Sequence, residues 1–297
     1  MTRAAHHMRP EKADVINVLS VDVEEYYHAT VFQEGTRGQA HGVFVSRVEE
    51  SMDRVLALLA DAHVRATCFV LGEVAAAHPA LVRKIAGEGH EVACHGQRHE
   101  LVSRQSPTEF RADVREAKEL LEDITGAAVL GYRAPTFSIG SEQVWVYDIL
   151  LQERFRYDSS VYPIVHDRYG DPNAPRFPYE VWRNGPEALI EFPIGTARVL
   201  GLNLPIGGGG YFRLLPLAVT RFGIRRVNAK DRRPVVFYFH PWELDPEQPR
   251  PRMPWRHRYR HYVGMRREEA KLSRLLRDVR FGTAQDALGL GDRAGSC

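Results

Sequence analysis

The chain has 297 residues, of which 44% are hydrophobic and 26% are charged, and its formal net charge is +2. This length and composition are ordinary for a soluble globular protein that forms one large or two small domains. A net charge so close to zero does not favour nucleic acid as a partner, and we expect none.

Three cysteines, Cys68, Cys94 and Cys297, lie far apart in the sequence. This number and spacing do not make a disulfide framework, and they favour a reducing compartment.

Residues 1–14 are polar and precede no apolar segment with a cleavage site, so we expect a flexible N-terminus rather than a secretory signal. No run approaches the roughly 20 apolar residues of a membrane span. We therefore expect a cytoplasmic protein that can also work at the inner face of the membrane.

The first half of the chain alternates between short apolar runs and amphipathic segments. Apolar residues that recur every three or four positions predict helices. Ser106 to Glu109 is typical of a helix start, because Pro107 suits the first turn. In chain order, the pattern predicts a strand at 15–21, a helix over 48–59, a strand at 66–71, a helix between Pro79 and Gly87, a strand at 91–94, a helix between Ser106 and Gly126, and a strand at 128–132.

After residue 157 the pattern is less regular. Residues 163–186 are rich in Pro, Gly, Asn and Asp, which predicts a long loop or a small insertion over the sheet. The glycine run 207–210 can turn freely or approach a ligand closely. The last predicted elements are a strand at 235–239, a linker at 246–254 and a charged terminal helix that contains Leu272, Leu275, Leu276 and Val279. The strand–helix alternation predicts an α/β fold with a parallel sheet.

Polar side chains follow the ends of four predicted strands. Asp22 and Glu24 follow the first strand, His95 the third, Arg133 the fourth and His240 the last. In parallel α/β barrels and open α/β sheets, active sites are built at the carboxyl ends of the strands. The sequence therefore predicts one site that contains all five residues.

His95 and His99 are the strongest candidates for metal ligands. They are four residues apart, about one helical turn, so both rings can face one ion. A catalytic divalent ion also needs an anionic ligand and an open position. Asp22 and Glu24 occupy alternate strand positions and face the same side, so either can supply the anion. The alternatives are a surface pair of histidines in a loop and a solvated acid cluster at a strand end.

Five segments have a characteristic order and spacing. They are Ser20-Val21-Asp22-Val23-Glu24-Glu25-Tyr26, His95-Gly96-Gln97-Arg98-His99, Gly131-Tyr132-Arg133-Ala134-Pro135-Thr136-Phe137-Ser138, Tyr157-Asp158-Ser159-Ser160-Val161-Tyr162-Pro163 and Phe237-Tyr238-Phe239-His240-Pro241-Trp242-Glu243. Together they resemble the polysaccharide deacetylase (NodB-homology, carbohydrate esterase family 4) proteins. The match is best to the bacterial subgroup associated with exopolysaccharide and exosortase gene clusters.

The resemblance implies an α/β fold, an irregular (β/α)7-type barrel of the TIM-like, NodB-homology kind with a C-terminal helical extension. We place the barrel at residues 15–245 and the extension, which would pack on it, at 246–297. The implied reaction is hydrolytic removal of N-acetyl groups from N-acetylated sugar residues of a bacterial exopolysaccharide or its precursor. The implied cofactor is a divalent metal, first of all Zn²⁺, with Co²⁺, Mn²⁺ and Ni²⁺ as alternatives.

The resemblance and the chemistry of amide hydrolysis together suggest a role for each residue. Glu24, His95 and His99 would hold the metal, and Asp22 would be the general base. Many members of the family have two adjacent aspartates in the first segment, whereas Val23 separates the two acids here, so which of them binds metal stays open. Arg133 could pair with Asp22 and keep it ionised, or it could be a surface arginine.

Two further residues complete the expected catalytic set. His240 could be the general acid that protonates the departing amine, and Asp158, by analogy with the family, would hold the His240 ring. The alternatives are a buried structural histidine and a turn-capping aspartate. Substrate contacts are expected from Tyr26, Tyr162, Trp242 and Pro135, where the aromatic rings could instead be part of the core.

Three other hypotheses compete with the deacetylase. One is a metal-dependent amidase that acts on a small cyclic amide or ureide, and another is a non-catalytic carbohydrate-binding relative. A two-carboxylate glycosidase using Glu24 and Glu25 is disfavoured, because neighbouring strand residues point to opposite faces.

The basic run at 256–261, extended by Arg266 and Arg267, could bind an anionic polymer, lipid phosphate or a membrane surface, or be a solvated face. The sequence leaves the oligomeric state open.

Overall fold

The structure, a computed structural model, describes residues 15–36, 44–140 and 142–290. The predicted flexible segment 1–14 and Cys297 lie outside the described residues. The strands are β1 (Asn17–Val23), β2 (Thr67–Val70), β3 (Glu91–Cys94), β4 (Gly131–Tyr132), β5 (Tyr157–Asp158), β6 (Tyr179–Asn184), β7 (Glu187–Glu191), β8 (Thr196–Val199), β9 (Leu202–Pro205), β10 (Val236–Phe239) and β11 (Phe281–Gly282).

Helices cover the sheet between these strands. They are α1 (Thr30–Gly35), α2 (Val48–Ala62), α3 (Gly72–Ala77), α4 (Pro79–Gly87), α5 (Pro107–Thr125), α6 (Trp145–Gln152), α7 (Gly209–Leu214), α8 (Leu217–Lys230), α9 (Trp255–Tyr262), α10 (Met265–Asp278) and α11 (Ala284–Leu288). Short 3-10 helices occur at Val102–Arg104, Pro135–Phe137 and Pro241–Leu244.

The main sheet has the strand order β10-β1-β2-β3-β4-β5-β7-β6, and β11 also pairs with β1. All of its pairs are parallel except the one between β6 and β7, and β8 and β9 form a separate antiparallel hairpin. Parallel strands require crossover connections, which the helices provide. The predicted α/β fold with a parallel sheet is confirmed.

The sheet curls, and its two sides meet beyond β7. Ile194 forms an isolated parallel bridge with Val236 of β10, and Gly208 forms another with Tyr238 of the same strand. Gly208 has a φ of 108°, and a Cβ there would lie 1.9 Å from the carbonyl oxygen of Tyr238. Glycine is therefore required for this close approach. Closure through single bridges makes the barrel irregular, as expected.

The predicted helices in the first half form because their apolar stripes face the sheet. Val48, Met52, Val55 and Leu59 of α2 are all buried. The start of α5 is a capping box, in which the Ser106 hydroxyl and the Glu109 side chain each bond the other residue's backbone amide. Gly126 ends this helix in the left-handed conformation, with a φ of 68°.

Two features of the local structure were not predicted from the sequence pattern. Residues 163–186 are not all loop, since β6 forms at Tyr179–Asn184; it is a half-exposed edge strand without the apolar run that marks buried strands. His95 and His99 do not lie on a helix either. They belong to an irregular loop after β3, where Gly96 and His99 have φ values of 81° and 49°.

The C-terminal region contributes to the sheet as well as packing on it. The predicted terminal helix is α10, and Leu272, Leu275 and Leu276 are buried there. Beyond it, β11 pairs with the beginning of β1 at Asn17 and Val18. The domain boundary at residue 245 stays a prediction. Across the described ranges, no helix combines the length and apolar character needed to cross a membrane.

We predict that Ser106→Ala lowers the free energy of unfolding by about 1 kcal/mol, because the first turn of α5 loses its side-chain cap. Urea denaturation of wild type and variant measures this difference. The matched control is Ser103→Ala, which changes an exposed serine in the preceding 3-10 turn. Equal midpoints for both variants would contradict the role of the capping box.

Candidate metal centre and active site

The carboxyl ends of four parallel strands bring the predicted site residues to one rim. In the ladder register, Val21 of β1 lies beside Phe239 of β10, and Val23 lies beside Val70 of β2. The pairing continues through Cys94 of β3 to Tyr132 of β4. Residues at or just beyond these strand ends line a cleft of about 480 Å³, whose walls include Asp22, Glu24, His95, His99 and His240.

Glu24, His95 and His99 form a cluster that can hold a metal ion. One ligand atom from each lies within 4.8 Å of the other two. Oε2 of Glu24 is 2.8 Å from Nε2 of His99 and 3.8 Å from Nε2 of His95. This oxygen is buried and has no hydrogen-bond donor of good geometry. One carboxylate and two imidazoles are a donor set that suits Zn²⁺ and similar divalent ions, so the residues fit a metal.

The backbone fixes which nitrogen of His95 faces the cluster. Nδ1 of His95 lies 2.8 Å from the carbonyl oxygen of Arg133, which can only accept, so Nδ1 carries the hydrogen. Nε2 is then left with its lone pair toward Glu24, as metal-binding histidines require. Burial lowers the pKa of His95 to about 4, which keeps the ring neutral.

Glu24 is held from the other side by Trp242. The indole N–H of Trp242 donates to Oε1 of Glu24 at 3.1 Å. Burial alone would raise the pKa of Glu24, but His99, His240 and His95 together lower it below its ordinary value. Of the two acids, Glu24 is thus the one in contact with both histidines.

Asp22 belongs to a different arrangement, a buried ion pair. Nη1 of Arg133 donates to Oδ1 of Asp22 at 2.6 Å, and the guanidinium also bonds Ser20 and Ser159. Arg133 is fully buried, which excludes the surface alternative. Its guanidinium carbon lies 4.1 Å from the ring centre of Phe69. The contacts of Arg133 with Asp22, Ser20 and Ser159 fix the orientation of the Asp22 carboxylate.

His240 stands between the two acids. Its Nε2 is 3.9 Å from Oδ2 of Asp22 and 3.8 Å from Oε1 of Glu24. Its Nδ1 is 3.1 Å from Oε1 of Glu243. Burial lowers the pKa of His240, but Glu24, Glu243 and Asp22 outweigh this effect and raise the pKa to about 9. The ring is therefore protonated at neutral pH, with Nε2 directed into the cleft.

The expected contact between Asp158 and His240 is wrong. Asp158 lies beside Glu191 in the β5–β7 register, and side chains at paired positions of a parallel sheet face the same way. Its Oδ1 accepts from the Ser160 hydroxyl at 2.5 Å. Burial raises the pKa of Asp158 to about 6, and burial together with Asp158 raises that of Glu191 well above its ordinary value. Asp158 thus lies beside a second buried carboxyl group rather than beside His240.

The expected sugar contacts of Tyr26, Tyr162 and Pro135 are also wrong. Tyr26 and Tyr162 are fully buried, and Tyr162 packs among the rings of Phe137, Tyr169 and Tyr238. Pro135 is buried as well and does not line the cleft. Each of these residues lies just after a strand, where residues from other segments cover its side chain. The sequence alone does not show which side chains are covered in this way.

Trp242 lines the cleft, but its ring faces are not free. The ring is stacked between His240 at 4.9 Å and His261 of α9 at 4.7 Å, with interplanar angles of 20° and 10°. A sugar therefore cannot stack on it. Instead of contacting a sugar, Trp242 donates a hydrogen bond to Glu24 and holds its carboxylate in place.

Glu243 and Arg213 were not predicted as site residues. Nε of Arg213, on α7, lies 3.4 Å from Oε1 of Glu243, and its guanidinium also donates to the carbonyl groups of His261 and Val263. Glu243 had a recognisable signal, because it follows His240 by three residues in a turn that begins with Pro241. Arg213 had none, since α7 lies far from every polar strand end in the sequence.

Comparison with known proteins divides the chain into two regions. Residues 24–148 match the family model described as "Polysaccharide deacetylase", and residues 159–289 match the one described as "Domain of unknown function (DUF3473)". The peptidoglycan deacetylase of Helicobacter pylori (strain ATCC 700392 / 26695) is 30% identical over 122 residues, which is 41% of this chain and 40% of that protein. The match thus spans less than half of the curated relative's length.

Two solved structures have the same fold. One, a Mycobacterium smegmatis protein assigned to the polysaccharide deacetylases, is 20% identical with a TM-score of 0.59, over 99% of this chain and 95% of that chain. The other, PuuE allantoinase, is 16% identical with a TM-score of 0.60, over 94% of this chain and 90% of that chain. At such identities the likeness concerns the fold alone, and it agrees with the predicted irregular barrel.

We predict that Glu243→Gln lowers the pKa of His240 from about 9 toward its ordinary value, because the ring loses one of three nearby carboxylates. The raised pKa contributes folding free energy that is fully present below about pH 6.5 and is lost as the pH rises through about 9. The variant should lose less stability over this pH window. NMR titration of the His240 ring in metal-free protein measures the pKa.

The matched control is Glu247→Gln, which removes an exposed carboxylate from the same turn region. It should leave the titration of His240 where it is in the wild type. An unchanged pKa in Glu243→Gln would show that the two carboxylates of β1 hold the ring proton without Glu243.

Proposed function

We propose that this protein is a metal-dependent hydrolase of N-acetylated sugars, because residues 24–148 match the family model described as "Polysaccharide deacetylase". Its substrate would be an N-acetylhexosamine residue in a bacterial polysaccharide, with an exopolysaccharide or its precursor as the finer assignment. The observation that carries this proposal is the Glu24, His95 and His99 cluster, which shares one cleft with Asp22 and His240.

Deacetylation breaks the amide C–N bond and forms a C–O bond, so the products are acetate and a free amine. A divalent ion bound by Glu24, His95 and His99 would acidify the attacking water and polarise the amide carbonyl. The protein must also accept a proton from that water and supply one to the amine.

Asp22 is suited to accept the proton. Its Oδ1 is bound by Arg133, while Oδ2 faces His240 across 3.9 Å and lines the cleft. The ion pair with Arg133 fixes the orientation of this carboxylate, so that Oδ2 is the oxygen available in the cleft. Arg133 acts through Asp22 and is a positioning residue.

His240 is suited to supply the proton. Nearby carboxylates raise its pKa, which favours the protonated ring, and Glu243 at Nδ1 leaves Nε2 as the nitrogen that can reach the substrate. After transfer to the amine, the neutral ring can recover a proton from solvent through the cleft. Asp22 would thus be the base and His240 the acid of the reaction.

An amidase for small cyclic amides is the alternative that the same fold permits, but no feature of the cleft favours it. The cleft extends from the metal cluster to the exposed residues Val165 and Tyr259 at its mouth. An opening of this kind suits a chain of sugars better than a small molecule enclosed on all sides. Hydrolysis of allantoin without acetate release from any N-acetylated sugar would favour the amidase instead.

We predict that His95→Ala and His99→Ala each abolish bound metal and acetate release, because either change leaves only two ligands. Metal content is measured on the purified protein, and acetate release is measured with N-acetylglucosamine oligomers and the host's own polysaccharide in the presence of added Zn²⁺, Co²⁺, Mn²⁺ or Ni²⁺. His78→Ala is the control, since His78 lies outside the cleft. Acetate release from a metal-free variant would refute the mechanism.

We predict that Asp22→Asn retains metal but lowers kcat by at least about 100-fold, because the amide cannot accept the proton of the water. The same metal analysis and acetate assay test this prediction. Arg133 would lose its anionic partner, so a thermal unfolding curve should accompany the assay. Loss of metal in this variant, with the fold intact, would mean that Asp22 rather than Glu24 is the ligand.

A further inference from the structure

The residues expected to stack on sugars are covered, but α9 presents two rings to solvent. Trp255 is 73% exposed and Tyr259 is 57% exposed, which makes them the most exposed tryptophan and tyrosine side chains among the described residues. Tyr259 lines the mouth of the cleft, whereas Trp255 lies four residues earlier on the same helical face. The two rings therefore form a row that leads outward from the cleft over about one helical turn.

A row of arginines runs beside the rings. Arg260 lines the cleft next to Tyr259, and Arg256 lies one turn further out next to Trp255. Arg260 is 3.5 Å from Asp167 on the opposite rim. Arg256 and Arg258 are exposed, and no acidic group in the described part of the chain lies within ion-pair distance of either.

The surrounding sequence has no compensating charge. Between residues 248 and 267 there is no aspartate or glutamate, and the arginines are Arg250, Arg252, Arg256, Arg258, Arg260, Arg266 and Arg267. Because Arg260 already faces Asp167, Arg256 and Arg258 are the cations that a negatively charged ligand would complement here.

We propose that α9 is a binding surface for an acidic polysaccharide whose chain continues into the cleft. Sugar rings stack on Tyr259 and Trp255, and the acidic groups of the same sugars pair with Arg260 and Arg256. This assignment deepens the proposed function and rests on it for the N-acetylated sugar at the metal cluster. The proposal specifies that the substrate is a negatively charged polysaccharide. It also makes α9 the element that favours acidic over neutral polysaccharides.

The composition of α9 favours a polysaccharide over a membrane. A helix that lies in a bilayer interface needs a wide apolar face with several aliphatic or aromatic residues. The outward residues of α9 are two aromatic rings and three arginines, with no aliphatic side chain. His257 and His261 face the other way, since they contact Gly35 and Phe32 of α1. The outward face also continues directly into the cleft, which lipid binding does not require.

The test is binding of two oligosaccharides of equal length to the full chain in an Asp22→Asn background, which prevents turnover. One is a hyaluronan oligosaccharide, in which N-acetylglucosamine alternates with glucuronate, and the other is a neutral N-acetylglucosamine oligomer. The test variant is Trp255→Ala with Arg256→Ala, and the control is Phe222→Ala with Lys230→Ala on α8, where both residues are exposed. Isothermal titration calorimetry measures each Kd.

We expect the Asp22→Asn protein, which is the parent of all the other variants, to bind the acidic oligomer more tightly than the neutral one. The test variant should weaken binding of the acidic oligomer about tenfold, from one lost stacking contact and one lost ion pair, and the control should not. Arg256→Glu alone should weaken only the acidic oligomer, and Arg256→Lys should restore most of its binding. This single change keeps the test decisive if the double variant folds poorly.

Three results would overturn the proposal. One is equal binding of acidic and neutral oligomers by the parent, and another is unchanged binding in both Arg256→Glu and the double variant. The third is binding to vesicles of phosphatidylcholine and phosphatidylglycerol that Arg256→Glu abolishes while oligosaccharide binding stays the same. Acetate release is assayed separately, so a wild type that binds the acidic oligomer through α9 but releases no acetate would refute the proposed reaction and leave this surface standing.

Discussion

Two buried carboxylates at the end of one strand set the requirements for the rest of the site. Asp22 and Glu24 are each 2% exposed, and a buried charge costs several kcal/mol unless it is paired and hydrogen-bonded. Asp22 receives the guanidinium of Arg133. Glu24 receives the imidazoles of His99, His95 and His240 and the indole N–H of Trp242. The residues that balance these charges follow β3, β4 and β10 of the same sheet.

This requirement is met by two regions of the chain together. The segment that matches the deacetylase model, residues 24–148, contains Glu24, His95, His99 and Arg133, whereas the segment that matches the model of unknown function, residues 159–289, contains His240, Trp242 and Glu243. The second region also holds α7 and α9, which fix Glu243 and Trp242 through Arg213 and His261. The Glu24, His95 and His99 cluster and His240, the proposed proton donor, thus come from different regions of the chain.

Much of the fold could be predicted because its strands are buried on both faces and appear as short apolar runs, as at 66–71 and 91–94. The site residues could be placed because they follow these runs directly. The predictions that were wrong concern contacts between segments that lie far apart in the sequence. Asp158 faces Glu191 rather than His240 because of the β5–β7 register, and Trp242 is covered by a histidine of α9, nineteen residues later. No local pattern encodes either contact.

The row of charges that runs from Glu24 through His240 and Glu243 to Arg213 makes these positions energetically dependent on each other. Removing one member leaves its neighbour buried without a counter-charge, so the cost of a single replacement includes the loss suffered by the residue that remains. Replacing two adjacent members together avoids part of that cost, and the combined effect is smaller than the sum. Replacements along this row should therefore be less costly as compensating pairs than one at a time, which couples the stability of the C-terminal region to that of the region that holds Glu24.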